Sequence, residues 1–371
     1  MEEGKFIHLV AFNVPYPPNY GGIIDIYYKL KALHEEGFKI ILHTFLYERP
    51  EAPELKAHCH EVHYYKRGRG IAFFFSKLPY IVSTRKSERL ESRLLQDAYP
   101  VIFEGLHTTY YLEKCRMSGK QVYVRTHNIE HNYYRMLANS ERFLIRKIYL
   151  YSESRKLARY EKVLGHSNKL LSISGTDTSY FQEKYGNAIH VSAFHQHAEV
   201  ESSTGMGDYV LFHGNLSVPE NEKALAYLVK NVLSKVRFRV IIAGKDPSRH
   251  THKICMKYPH IELVSNPSGD KMNELVKDAH INLLYTYQPT GLKLKLLHSL
   301  HAGRHCMANP LMLSGSGLDA LCTIYTTPKD AIQEIERLMR KDFDQHSIDE
   351  RSAHLKAYKN SEIVKKIASL S

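Results

Sequence analysis

The feature that most constrains this chain is an alternation that begins at once, runs through half the sequence and then begins again. "KFIHLVAFNV" (residues 5–14) reads as an apolar, buried strand. It is followed by the loop "PYPPNYGG", by the amphipathic helix "IIDIYYKLKALHEEG" that stops at Gly37, and by a second strand, "FKIILHTF". Strand, Gly/Pro loop, helix and strand make one βαβ unit of a parallel sheet. Further units follow: the helix "SERLESRLLQDA", the strand "PVIFEG" with a helix after it, the strand "KQVYVRTHN", a long charged helix from Ser140 to Val163, the strand "NKLLSIS" and a short helix from Asp177 to Tyr185. The pattern restarts at "DYVLFHGNLSVPENEKALAYLVKNV" and continues through "FRVIIAGKDPS", "IELVSNPSG", "MNELVKDA", "HINLLYT" and "TGLKLKLLHSLHAGRHCMANP". Two doubly wound α/β domains facing each other across a cleft are the expectation. They span residues 1–195 and 208–347, with an aperiodic linker at 196–207 and a charged closing helix at 348–371.

Composition narrows the function. A chain of 371 residues with 43% apolar and 24% charged residues can fill two cores. No run reaches the length of a membrane span. The opening "MEEGKFIHLVAF" is acidic and passes straight into a strand, which is not the pattern of a signal peptide. Five scattered cysteines without a CxxC pair point to reduced thiols and a cytoplasmic protein. The net charge of +12 admits phosphorylated substrates, an anionic membrane surface or nucleic acid. Without zinc-finger spacing, an RNP signature or an arginine-rich arm, nucleic acid is the weakest of these and is not expected as a partner. The basic stretches "YYKRGRG" (64–70) and Ser83–Arg89 are the expected contacts with the inner face of a membrane, to which the protein would be peripheral. "AFFFSKLPYIV" is apolar and is expected to pack on the first domain. "HCHEVH", with His58, Cys59, His60 and His63, lacks a zinc pattern and reads as surface and edge side chains.

In doubly wound sheets ligands sit on the loops at the carboxyl ends of strands. Gly21 and Gly22, just before a helix, let backbone amides approach an anion, and equally suit a plain tight turn. "RTHNIEH" ends a strand and places His127 toward the cleft as a base or hydrogen-bond donor, with Glu130 close by to orient or deprotonate a group. "FHGNLSVPEN" offers Gly214 and Asn215. "AGKDPS" offers Lys245, a phosphate contact or equally a solvated loop lysine. "TGLKLK" places Lys293 and Lys295 at the positive end of a helix, against the dipole preference. With the free amides after Gly291 and Leu292, they form an anion site suited to a diphosphate.

Five of these segments, in order and spread over nearly the whole chain, resemble the GT-B glycosyltransferases, and in particular glycosyltransferase family 4 of bacterial polysaccharide assembly. They are "PYPPNYGG", "RTHNIEHNYYR", "LFHGNLSVPENEKALAYL", "AGKDPS" and "GLKLKLLHSLHAGRHCMANP". The resemblance implies two Rossmann-like domains and a nucleotide-sugar donor held by the second. It also implies a glycan or lipid-linked acceptor on the first, a retaining outcome, and neither a metal ion nor another cofactor. It implies that Gly291, Leu292, Lys293, Lys295, Gly214, Asn215 and Lys245 hold the donor, that Gly21 and Gly22 approach it from across the cleft, and that His127 is catalytic. The family's paired glutamates, eight positions apart, fall here on Thr290 and His298, and His305 stands where proline is usual. A helix starting near Leu292 would put His298 on one face with Leu294 and Ala302; the family's glutamate at this place faces the ribose, so the resemblance implies that His298 faces the cleft and binds the donor through a ribose hydroxyl, kept neutral by the lysines. These departures leave open a second reading, a degenerate GT-B protein that binds a glycan or partner without turnover.

Overall fold

The computed structural model describes residues 5–141 and 143–370. Seven strands form the first sheet: β1 (Phe6–Ala11), β2 (Lys39–Leu46), β3 (Glu61–Lys66), β4 (Val101–Glu104), β5 (Val122–Thr126), β6 (Lys169–Ser172) and β7 (Ala188–His190). Six form the second: β8 (Tyr209–Asn215), β9 (Arg239–Lys245), β10 (Ile261–Ser265), β11 (Ile281–Leu284), β12 (His305–Ala308) and β13 (Thr323–Ile324). The spatial orders are β3-β2-β1-β4-β5-β6-β7 and β10-β9-β8-β11-β12-β13. Every described pairing between these strands is parallel. Helices cover both faces, so strands such as β4, β5 and β11 are buried along their whole length. This burial on both faces is why they read as apolar runs rather than as alternating patterns. Each order reverses direction beside its first strand, between β1 and β4 and between β8 and β11. A crevice opens at such a switch point.

Several elements differ in detail from the sequence expectation. The first helix is Gly21–Glu35, so both glycines belong to its first turn. The expected helix from Ser140 to Val163 runs from Leu144 to Tyr160, and a helix not expected from the sequence, Glu130–Ser140, precedes it; the two are parted where Glu141 and Phe143 take extended backbone, and Arg142 lies outside the described residues. The closing segment is likewise two helices, Gln345–Leu355 and Asn360–Ala368. The second of these presents Ile363, Val364 and Ile367 to the core of the first domain, beside Ile26, Leu30 and Leu33. The helix Asn360–Ala368 is therefore packed against the first domain.

"AFFFSKLPYIV" departs from expectation most clearly. Ile81 and Val82 enter the core, but Ile71, Phe74 and Phe75 stand exposed on a 3-10 turn, Ile71–Phe75. In the Ser83–Arg89 stretch Arg85 is buried. Its guanidinium donates to the carbonyls of Phe12, at 2.9 and 3.1 Å, and Ile81, so it is structural rather than free to meet a membrane.

Beneath the crevice lies a closed group of charges. Asp25 and Lys29 come from the first helix, Glu104 from the end of β4 and Arg125 from β5, and all four are almost wholly buried. Arg125 grips Asp25 with two bonds, of 2.8 and 3.1 Å. Lys29 bridges Asp25 at 3.2 Å and Glu104 at 2.6 Å. Arg125 also donates to the carbonyls of Val191 and Ser192, while the Phe194 amide donates to Asp25 at 2.8 Å. Burial would raise the Asp25 carboxyl, but Arg125 and Lys29 outweigh it and hold the group far below the usual carboxylate range. Removing one partner of such a group leaves an uncompensated buried charge, at a cost of about 3–5 kcal/mol. Arg125→Met should therefore lower unfolding free energy by about that amount in urea titrations. A loss below about 1 kcal/mol, the scale of an exposed ion pair, would show that the group is not needed for the fold.

Candidate functional site

A cavity of about 360 Å3 lies where the two switch points face each other. Its first-domain wall includes Gly21, Gly22, Asp25, His107, His127 and Glu130; its second-domain wall is Gln288, Thr290, Leu292, Lys293 and Leu294.

His127 follows β5 directly, so the sheet aims it into this space. Its Nε2 is 3.0 Å from Glu104 Oε2 and its Nδ1 is 3.9 Å from Asp25 Oδ2. A carboxylate partner fixes the ring's orientation and sets which nitrogen carries the proton. Asp25, Glu104 and His127 bring ligand-type atoms within 4.8 Å of one another. Lys29 and Arg125, however, already neutralise both carboxylates, and the arrangement fits a hydrogen-bonded charge group better than a cation cage. Next to His127, His107 has a buried Nδ1 with no partner among the described residues. Burial, and then Arg85 and His127, push its pKa well below the ordinary 6.5. Sequence reading missed His107, although it follows the end of β4 as His127 follows β5.

Glu130 opens the helix Glu130–Ser140 at the cavity wall and is 4% exposed. Its carboxyl has no hydrogen-bond partner among the described residues. Burial, and then the charges of Asp177 and Glu161, push it up to about 8.

On the opposite wall Gly291 has φ +69°, and a Cβ there would lie 2.5 Å from Asn128 Oδ1 and 2.6 Å from the His127 carbonyl. Only glycine lets the second domain approach this closely. The Gly291 amide donates to Asp177 Oδ2 at 3.0 Å, and the Gly175 amide donates to the Gly315 carbonyl at 2.8 Å. The amides of Leu292, Lys293 and Leu294 have no acceptor among the described residues. Asp177, which sequence reading did not single out, thus holds the first amide of the expected anion site. Burial pushes its carboxyl up to about 6, against the Gly291 amide and Lys293.

The two lysines part company. The helix is Leu294–Ala302, so Lys293 is its N-cap residue, and its Nζ donates to the carbonyls of Thr290 at 2.8 Å and Gly291 at 3.0 Å. Burial lowers the Lys293 ammonium to about 8. Lys295 points away from the cavity, with Nζ 3.4 Å from the Tyr285 carbonyl and 5.7 Å from the Phe212 ring centre. Of the pair, Lys293 lines the cavity and Lys295 does not. Glu220, also missed in the sequence, accepts from Thr286 Oγ1 at 2.8 Å and the Tyr287 amide at 2.7 Å, and so fixes the start of this loop.

His298 does not line the cavity. Its ring packs 5.0 Å from that of His197 in the linker and 6.1 Å from that of His213, and its Nε2 is buried without a partner among the described residues. Its pKa falls to about 4 through burial and then His301; the lysines expected to keep it neutral are not the cause. Gly214, Asn215 and Lys245 also lie outside the cavity wall. Asn215 caps its own turn through Ser217, and the Lys245 side chain is 68% exposed, 3.8 Å from Asp246.

No protein-family model matches the chain. An "Uncharacterized 44.6 kDa protein in cps region" of Klebsiella pneumoniae is 26% identical over 330 residues, 84% of each chain. Among solved structures, sucrose-phosphate synthase of Thermosynechococcus elongatus superposes with a TM-score of 0.69 at 13% identity, covering 99% of this chain and 100% of that one. The lipopolysaccharide outer core galactosyltransferase WaaB gives a TM-score of 0.65 at 13% identity, with the same coverage of 99% and 100%. A glycosyltransferase of Rickettsia africae gives 0.64 at 12% identity, covering 99% and 98%. The chain has the GT-B fold, two Rossmann-like domains with 7-stranded and 6-stranded parallel sheets.

Gly291→Ala should force the two walls apart at Asn128 and His127. Amide hydrogen exchange at 127–130 and 174–177 should rise while β1, β4 and β5 stay protected. Unchanged exchange at both segments would show that this close approach does not hold the domains together.

Proposed function

We propose that the protein is a glycosyltransferase that moves a sugar from a nucleotide-diphosphate sugar to a hydroxyl of a glycan or lipid-linked acceptor. In this reading it acts with retention and without a metal ion. One observation carries the reading: in a GT-B fold, a lysine and three unoccupied amides open a helix directly across one cavity from a carboxylate-held histidine. The glycosyltransferase neighbours support it through their shared architecture.

In this reading the bond from the sugar to the diphosphate breaks, a bond to the acceptor oxygen forms, and the acceptor hydroxyl gives up its proton. The developing negative charge falls on the departing diphosphate. The amides of Leu292, Lys293 and Leu294 and the Lys293 ammonium stabilise it, doing so best when the site excludes water. Gly21 and Gly22 bring further helix-start amides from across the cavity. His127, oriented by Glu104, hydrogen-bonds the sugar or the attacking hydroxyl. Glu130, whose carboxyl burial raises to about 8, takes the acceptor's proton when it is in its ionised form. Asp177 gives up the Gly291 amide to the incoming diphosphate.

A second reading, a non-catalytic subunit that binds a glycan or partner, draws on His298. Where the resemblance expects a carboxylate, the chain has an imidazole packed among other imidazoles.

A thermal-shift screen of UDP, GDP and ADP should find at least one that stabilises the protein. A charge-assisted bond to phosphate is worth about 1.5–3 kcal/mol, so Lys293→Ala should weaken that nucleotide by roughly tenfold or more, and Lys295→Ala by much less. No stabilisation by any nucleotide would favour the second reading. Bound phosphate favours the charged ammonium. Wild-type affinity should therefore hold below pH 8 and fall as pH rises past the free Lys293 value of about 8. A profile flat from pH 7 to 9.5 would remove Lys293 from the site. His127→Ala should leave nucleotide affinity nearly unchanged while transfer collapses; transfer at the wild-type rate would make His127 structural only.

A further inference from the structure

The five cysteines do not share one environment. Among the described residues, Cys59, Cys115 and Cys255 each belong to a different apolar core. Cys306 and Cys322 meet in a fourth, beside Leu300, Leu318, Leu321 and Leu355. Cys306 lies in β12 and Cys322 directly precedes β13. The two strands are parallel, with Met307 opposite Thr323 and Ala308 opposite Ile324. One residue earlier, the same register sets Cys306 opposite Cys322. Neighbouring strands lie about 4.8 Å apart, inside the range of about 4.4–6.8 Å that a disulfide takes between its Cα atoms. Residues in register point to one face of the sheet, and here the thiols meet. A hydrogen bond with Cys306, and then burial, hold the Cys322 thiol well above its ordinary value. The buried Arg351 guanidinium, close to both sulfurs, opposes this rise. Cys306 is 3% exposed, whereas Cys322 is partly open to solvent.

The segment between the two thiols makes contacts on which the cavity depends. Directly after β12, Asn309 holds Thr286, donating to its carbonyl at 2.9 Å and accepting from its amide at 3.1 Å. Further on, the Gly315 carbonyl accepts from the Gly175 amide at 2.8 Å, and a Cβ on Gly315 would lie 2.5 Å from Thr176 Oγ1. A bond between residues 306 and 322 closes the base of this loop, through which the second domain touches the helix Gly175–Tyr185 of the first.

We propose that Cys306 and Cys322 form a dithiol modification site, which a hydroperoxide converts to a disulfide that staples the interdomain loop. Peroxide reaches Cys322, whose sulfur takes one peroxide oxygen and becomes a sulfenic acid as water leaves. The Cys306 sulfur then attacks that sulfur. The S–S bond forms, the S–O bond breaks and a second water leaves. In sum the two thiols lose two hydrogens and two electrons, and one hydrogen peroxide becomes two waters. Only the thiolate reacts, so the protonated pair rests as a dithiol at neutral pH and answers sustained rather than brief oxidation. The site needs no donor, acceptor or turnover, and it stands apart from sugar transfer.

Trypsin leaves both cysteines on one peptide, residues 305–329, because no lysine or arginine lies between them. After the native protein is treated with hydrogen peroxide, that peptide should resist alkylation until a reductant is added, and then take two alkyl groups. Cys59, Cys115 and Cys255 should stay alkylatable on unfolding. The rate should rise about tenfold per pH unit from about pH 7 to 9, as the thiolate fraction does. Cys306→Ser should halt at a Cys322 sulfenic acid, trapped by dimedone. In the oxidised protein, amide exchange at 174–177 and 314–317 should slow, and reduction should restore it. The same treatment of Cys322→Ser, altered at the partly exposed position, should change neither segment. A peptide that still takes two alkyl groups after peroxide would overturn the proposal, as would sulfinic acid on Cys322 with Cys306 free. A disulfide that leaves exchange at both segments unaltered would overturn the staple.

Discussion

The group formed by Asp25, Lys29, Glu104 and Arg125 is the interaction on which the rest of the structure depends. It places two anions and two cations almost wholly out of solvent, beneath a cavity that Asp25 helps to line, where no member can be left alone without a large penalty. Because the partners come from the first helix, β4 and β5, satisfying them fixes the positions of those three elements. Because Arg125 and Asp25 also hold the backbone at 191–194, the same group anchors the chain where it leaves the first domain. His127 inherits this rigidity. Its ring nitrogen meets a carboxylate that cannot move without breaking the Lys29 pair. The first-domain wall of the cavity is thus tied into the buried charge group.

On the second domain the facing loop is held by the protein's own groups. Lys293 satisfies two carbonyls of its own turn, and Asp177 occupies the Gly291 amide. Both ionise unusually close to neutral pH, Asp177 at about 6 and Lys293 at about 8, since each charge is buried with an incomplete partner. A diphosphate would supply what both lack: charge for the ammonium and acceptors for the remaining amides. The contact that now joins the domains is therefore also the contact that donor binding would exchange.

Much of the fold was legible because parallel strands buried on both faces leave unbroken apolar runs, and because each strand-to-helix turn carries glycine, proline or polar residues. The helix Leu144–Tyr160 was read four residues early, from Ser140, and the helix Glu130–Ser140 before it was not read: no glycine or proline parts the two, and "ANSERFLI" continues a passable helix pattern. The first-domain wall of the site was readable where it followed strand ends, as at His127 and Gly21–Gly22. Asp177 was invisible because its partner is 114 residues away and neither belongs to a local motif. Lys295 lies off the cavity wall because it follows the extended N-cap Lys293 into the helix, where its ammonium turns to the Tyr285 carbonyl and the Phe212 ring. His298 was placed at the cleft by the resemblance, through the glutamate usual at that position, but that stretch of the helix turns toward the linker histidine His197. "AFFF" misled in the other direction, since an apolar run does not say whether it is buried or offered to a partner.

The central claim is that the opening of the helix Leu294–Ala302 is a diphosphate site now partly filled by the protein's own carboxylate. The most direct measurement is a crystal structure of the protein with a nucleoside diphosphate that stabilises it. The diphosphate is expected within hydrogen-bond distance of the Leu292–Leu294 amides and Lys293 Nζ, with Asp177 withdrawn from Gly291. A nucleotide bound elsewhere, with the Asp177–Gly291 bond intact, would contradict the account.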